Sequence, residues 1–114
     1  MSCSSKEFAQ DFRDRYLELT KRLMVLKLLD KPKTSYEISL AIHEESNRVF
    51  PLWQVISTLF VLEKAGTIHK KNQGGTTYYE ITPQGKECLM LALEEFYSLQ
   101  KGLDDVLNKG KKLA

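Results

Sequence analysis

A mainly α-helical fold carrying one two-stranded β-hairpin is what this chain predicts, on three observations. Apolar residues recur at spacings of three and four toward both ends of the sequence, the period of a helical face. Pro32 and Pro51 punctuate the stretch between them into short helical segments. Between Gly66 and Pro83, a Gly-Gly pair separates two runs that suit strands. With 114 residues, 42% hydrophobic and 28% charged, the chain suits one domain over 1–114 with a single core.

The first helix is expected over 6–29, where Phe8, Phe12, Tyr16, Leu19, Leu23 and Leu26 share one face. It ends at Asp30-Lys31-Pro32, because proline interrupts the hydrogen-bond ladder and restrains the residue before it. Thr34 and Glu37 form a capping-box pattern, so a second helix should cover Ser35 to Glu45 with Ile38, Leu40, Ala41 and Ile42 as its apolar positions. Pro51, with its pre-set backbone angle, is expected at the first position of helix three. Projection at about 100° per residue places Leu52, Val55, Leu59 and Leu62 on the core side of that helix, with Ile56 at the edge and Gln54, Ser57, Val61 and Lys64 outward.

Gly66 supplies the left-handed position that commonly ends a helix, and Thr67 to Lys71 begins a strand. Asn72-Gln73-Gly74-Gly75 carries the residues of a hairpin turn, and the strand from Thr76 to Ile81 should point Tyr79 and Ile81 inward, Tyr78 and Glu80 outward. Thr82 and Pro83 cap a last helix over 83–108, on which Leu89, Leu93, Phe96, Leu103 and Leu107 keep a four-three spacing with Gln100 as the polar seam position. The ends from Met1 to Ser5 and from Lys109 to Ala114 read as ragged. The order helix, turn, helix, hairpin over 34–82 is that of a winged helix-turn-helix, in which a helix enters a DNA groove and a hairpin holds the phosphates.

Seventeen basic and fifteen acidic residues give a net charge of +2, too little for coating nucleic acid through an overall positive field, so any DNA footprint must be local. Base readout is assigned to Gln54, Ser57, Val61 and Lys64, with Trp53 beside them. Arg48, Lys70, Lys71 and Gln73 should position the duplex, and Lys33 and Ser35 are weaker candidates. A wide apolar stripe on the last helix needs a partner surface, and the first helix of the same or a second copy offers one. Phe8, Phe12, Tyr16, Leu89, Leu93, Phe96, Leu103 and Leu107 form the candidate dimer contact. A second reading takes the domain as a protein-interaction module that docks through Trp53, Phe60 and Val61 instead of binding DNA.

His43 and His69 stand apart and lack ligands at metal spacing, so no metal is assigned. Nor is there a glycine-rich phosphate loop or a nucleophile set beside a histidine, so no catalytic residue or cofactor is expected, and the chain is read as not an enzyme. The glutamate and aspartate pairs on the helices read as solvated faces. Apolar runs are too short for a membrane span and the start MSCSSKEF lacks a leader's apolar stretch, so a cytoplasmic, nucleoid-associated protein is expected. Cys88 reads as a packed thiol, and Cys3 falls in a tail.

Four marks between Leu23 and Leu89 give a resemblance: Tyr36-Glu37-Ile38 in helix two, Leu59-x-x-Leu62-x-x-x-Gly66, Tyr78-Tyr79-Glu80-Ile81-Thr82, and Pro83-Gln84-Gly85. In this order they resemble the PadR-type winged-helix regulators, and more loosely the MarR group and small archaeal regulators of the same architecture. The resemblance implies a dimeric transcription regulator with helix three as recognition helix, Lys70 to Gly75 as wing, and the outer helices as dimer contact. The chain departs from the PadR pattern at Ile56, where a tyrosine usually stands, and lacks the usual glycine before Tyr36.

Overall fold

The computed structural model describes residues 4–113, so Cys3 and the ends at 1–3 and 114 lie outside the described residues. Four helices and one antiparallel hairpin follow in the order α1 (Ser5–Leu28), α2 (Ser35–Ser46), α3 (Leu52–Lys64), β1 (Ile68–Gln73), β2 (Thr76–Ile81) and α4 (Pro83–Leu113). The body is elongated, about 60 × 30 × 26 Å, because α4 is 31 residues long. The expected mainly α fold with a two-stranded wing is the observed one.

Local chemistry sets the boundaries. α1 begins one residue earlier than expected, because the Ser4 side chain accepts from the Glu7 backbone N–H at 3.1 Å, so the start is capped where a ragged end was expected. The capping box at α2 is complete: Thr34 Oγ1 accepts from Glu37 N–H, and Glu37 Oε1 accepts from Thr34 N–H. Asn47 ends α2 in the left-handed conformation (φ 56°), which asparagine tolerates better than most residues. Pro51 stands one step outside its expected place. Its extended backbone makes it the N-cap, its carbonyl accepting from Gln54 and Val55, and α3 starts at Leu52. At the far end, α4 stays helical to Leu113, past the expected stop at 108.

The core joins Val25, Leu26 and Leu29 of α1 and its C-cap to Ile38 and Ile42 of α2, Phe50, the α3 residues Val55, Leu59 and Leu62, and Ile68 of β1. Tyr79, Ile81 and Leu89 pack against it, so the inward pair expected on β2 is correct. Two expectations shift. Leu40 and Leu52 are exposed, and the α3 core position between Val55 and Leu62 is taken by Thr58, whose hydroxyl donates to Gln54 O at 2.9 Å and so carries no unmet polar group inward. Cys88 is exposed instead of packed, since it precedes Leu89 by about a quarter turn of α4.

One junction sets the wing against α3. Gly66 (φ 78°) follows the α3 C-cap, with Gly66 N–H bonding Glu63 O and Thr67 N–H bonding Leu62 O, a Schellman turn. Thr82 closes it from the other side: its N–H bonds Thr67 O at 3.0 Å, its hydroxyl donates to Gly66 O at 2.8 Å, and the same oxygen caps α4 by accepting from Gly85 N–H. A β-carbon on Gly85 would collide with the Thr67 carbonyl and the Ile81 side chain. Backbone meets backbone there, with no flexible side chain to give way. Gly85→Ala should therefore destabilise the fold by about 1–3 kcal/mol, read as a lowered midpoint in urea unfolding. An unchanged midpoint would mean that α4 can shift freely on the wing base.

Candidate nucleic-acid interface

The outward face of α3 differs in phase from the sequence projection. With Val55, Thr58, Leu59 and Leu62 inward, the opposite line of the helix runs through Trp53, Ser57, Phe60 and Lys64, with Ile56 beside it. Trp53 is 71% and Phe60 57% exposed. Gln54 is half-buried and Val61 lies toward the edge, so two of the four residues assigned to base readout are marginal, while Phe60 and Ile56, given flanking roles, are central. Thr58 held the missing signal, because counting it as core turns the projected outer face onto Phe60. Lys64 Nζ sits 5.0 Å from the Phe60 ring centre, a cation–π contact at the end of the face.

The hairpin stands against α3 through β1. Its register pairs Ile68 with Ile81, Lys70 with Tyr79 and Lys71 with Tyr78, and the turn is Gly74-Gly75, both at positive φ as a two-residue type I′ turn requires. Asn72 and Gln73, expected in the turn, belong to the strand or its last pair. Lys33 adds a rudiment of a third strand by exchanging both backbone hydrogen bonds with Tyr79, at 3.1 and 2.8 Å.

Alternation along β1 divides the wing residues between two faces. Lys70 shares the inner face with Ile68, and its ammonium is 3.6 Å from Glu63 Oε1 on α3. Lys71 and Gln73 occupy the outer face, where Lys71 forms no ion pair among the described residues. His69 Nε2 lies 3.2 Å from Glu80 Oε1 on the same face. The assignment of Lys70 and Lys71 to one joint grip is therefore corrected: only Lys71 is directed away from the body. Lys33, the weaker candidate at the start of α2, is also engaged, its ammonium 3.0 Å from Asp30 Oδ1, and this contact holds the Asp30 carboxyl below its ordinary range. Ser35 is half-buried in the first turn of α2. Arg48, exposed in the α2–α3 turn, borders a groove floored by Phe12, Tyr16 and Met24 of α1 and Phe96 of α4.

The candidate dimer residues fall into two sets. Leu89, Leu93 and Phe96 are half-buried on their own chain, where α4 packs along α1. Phe8, Phe12, Tyr16, Leu103 and Leu107 remain exposed, joined by Leu19, Leu99 and Val106. Among the described residues no three metal-binding side chains converge, and no helix is long and apolar enough to cross a membrane.

A two-helix unit whose second helix is exposed and flanked by a two-stranded wing defines the winged helix-turn-helix class. Comparison with solved structures narrows the class. The chain is similar to a transcriptional regulator from Clostridium thermocellum (26% identity over 80% of this chain and 93% of that one, TM-score 0.75). It also matches a PadR family transcriptional regulator from Eggerthella lenta (17% identity, 93% and 94% coverage, TM-score 0.79) and a PadR-like transcriptional regulator from Bacillus cereus (17%, 82% and 96%, TM-score 0.73). No protein-family profile and no curated protein sequence matches the chain. The protein is thus PadR-like, with the winged-helix fold that these regulators share.

Trp53 is the only tryptophan and reports on this face directly. In the free protein its fluorescence should be quenched by acrylamide nearly as strongly as a free indole, and protection from the quencher would show that the α3 face is already covered.

Proposed function

We propose that the chain is a sequence-specific, double-stranded-DNA-binding transcription regulator that works in the cytoplasm at the nucleoid. In this reading a symmetric homodimer places two copies of α3 in successive major grooves of an inverted repeat, with the wing on the backbone. Repression by blocking a promoter is the default outcome for such a body. The reading requires no cofactor, metal or catalytic step. It rests on one observation above the rest: α3 projects an uncovered face beside a hairpin whose outer side carries Lys71 and Gln73.

The homodimer is supported by the apolar surface that one chain leaves uncovered. Beyond Phe96 the α4 stripe continues through Leu99, Leu103 and Leu107 with nothing from its own chain against it, while the first half of α1 exposes Phe8, Phe12 and Tyr16. A two-fold contact lets each α4 cover the other chain's α1. The groove bordered by Arg48 then lies next to the dimer contact, although its lining is apolar and marks no polar effector site.

A protein-docking role for the same domain is favoured by the apolar character of the α3 face, with Trp53, Phe60 and Val61 as its contacts. Titrating a fluorescent random-sequence duplex at two salt concentrations separates the two readings. DNA binding should weaken as salt rises, and Lys71→Ala should lower the slope of log affinity against log salt by about 0.9, one phosphate contact per subunit. Lys70→Ala should lower it less, because that ammonium is already near Glu63. Absence of binding at low salt would favour the docking module.

Sedimentation tests the pairing. The wild-type chain should be a dimer at micromolar concentration, and Leu103→Asp with Leu107→Asp should give a folded monomer, since neither side chain supports its own chain's core. A wild-type monomer would remove the paired-groove geometry.

A further inference from the structure

The exposed face of α3 is unusual in composition for a helix that meets base edges. Along its outer line it offers Trp53, Ile56 and Phe60, with Leu52 and Val61 at the margins, and only Ser57 and Lys64 as exposed polar groups between them. Gln54, the one amide available for a two-point hydrogen bond to adenine, is half-buried. No arginine or asparagine stands on the helix to pair with guanine or adenine.

The major groove displays donors and acceptors on every base pair but one apolar group, the 5-methyl of thymine. Apolar side chains pressed against guanine, cytosine or adenine edges would strip water from those edges and return no hydrogen bond, an unfavourable exchange. Pressed against thymine methyls they gain the ordinary hydrophobic contribution. The surroundings favour a polyanion over an apolar protein surface: Lys64 closes one end of the face, and the wing carries Lys71 outward.

We propose that α3 reads its operator chiefly through thymine 5-methyl groups, with Trp53, Ile56 and Phe60 as the contacts, so that each half-site is a thymine-rich step sensitive to loss of those methyls. This specificity rests on the DNA-binding reading above and goes beyond it, because it names the chemical group that is recognised. Ser57 and Lys64 then supply the few polar contacts, and the wing supplies affinity that does not depend on sequence.

Removing the methyl while keeping every hydrogen-bonding edge provides the test. Duplexes recovered by the wild-type protein from a random library are resynthesised with deoxyuridine in place of every thymine of the protected region, and affinities for the two forms are compared. Each buried methyl accounts for roughly fourfold in affinity, so two or more per half-site should give at least a tenfold loss. The ratio should fall toward one in Phe60→Ala, whose ring lies outside the core. Equal binding of the two forms, with salt dependence intact, would overturn methyl readout and leave the DNA-binding reading standing. Recovered sites poor in thymine would do the same. A loss that persists unchanged in Phe60→Ala would assign the effect to duplex stiffness and also overturn it. If no duplex is recovered and none binds at low salt, the DNA-binding reading itself fails, the inference falls with it, and the α3 face is left to a protein partner.

Discussion

The architecture depends on a close backbone approach at Gly85. There the first turn of α4 lies directly on the Thr67 carbonyl at the point where α3 becomes the wing. Thr82 bridges the same place by bonding to Gly66 and Thr67 while capping α4. Three elements are thereby held in fixed relation by short polar contacts between backbones, which tolerate little adjustment. Because the wing cannot swing without breaking this knot, the α3 face and the outer side of the hairpin are offered as one preformed surface, and preorganisation of that kind reduces the entropy lost on binding.

That surface combines two kinds of chemistry in separate places. The helix is apolar at its centre, and the wing is polar along its outer side, with Lys71, Gln73 and the His69–Glu80 pair. Intramolecular pairing withdraws Lys33 and Lys70 from the available cations, through Asp30 and Glu63. A chain of modest net charge therefore concentrates its usable positive charge at few points, so that under the proposed function affinity and sequence choice come from different side chains. The wing accounts for the salt-dependent part and α3 for discrimination.

The other end of the molecule follows a different logic. α4 is far longer than the core needs, and only its first half finds cover on α1. The remaining stripe keeps the same helical phase, so Leu103 and Leu107 extend a surface that Leu89, Leu93 and Phe96 have already used within the chain. In the proposed dimer one apolar face serves both intramolecular packing and assembly, which would fix the separation of the two recognition helices through the rigidity of a single helix.

By itself the amino-acid sequence determined the elements and their order. Local chemistry acts over three or four residues and leaves its signature in the residue types: the Thr34–Glu37 box, the Gly66 stop, the Gly74-Gly75 turn and the Thr82-Pro83 start were all readable. The phase of α3 was not, because a polar Thr58 can be buried by bonding its own helix, and only packing reveals that it turns Phe60 to the centre of the outer face. Nor could sequence divide Lys70 from Lys71, since their fates depend on which side of the hairpin meets Glu63. Tertiary structure alone decided where the apolar stripe of α4 ceases to be core, because that boundary lies where α1 ends its cover, a relation between residues some eighty positions apart in the chain.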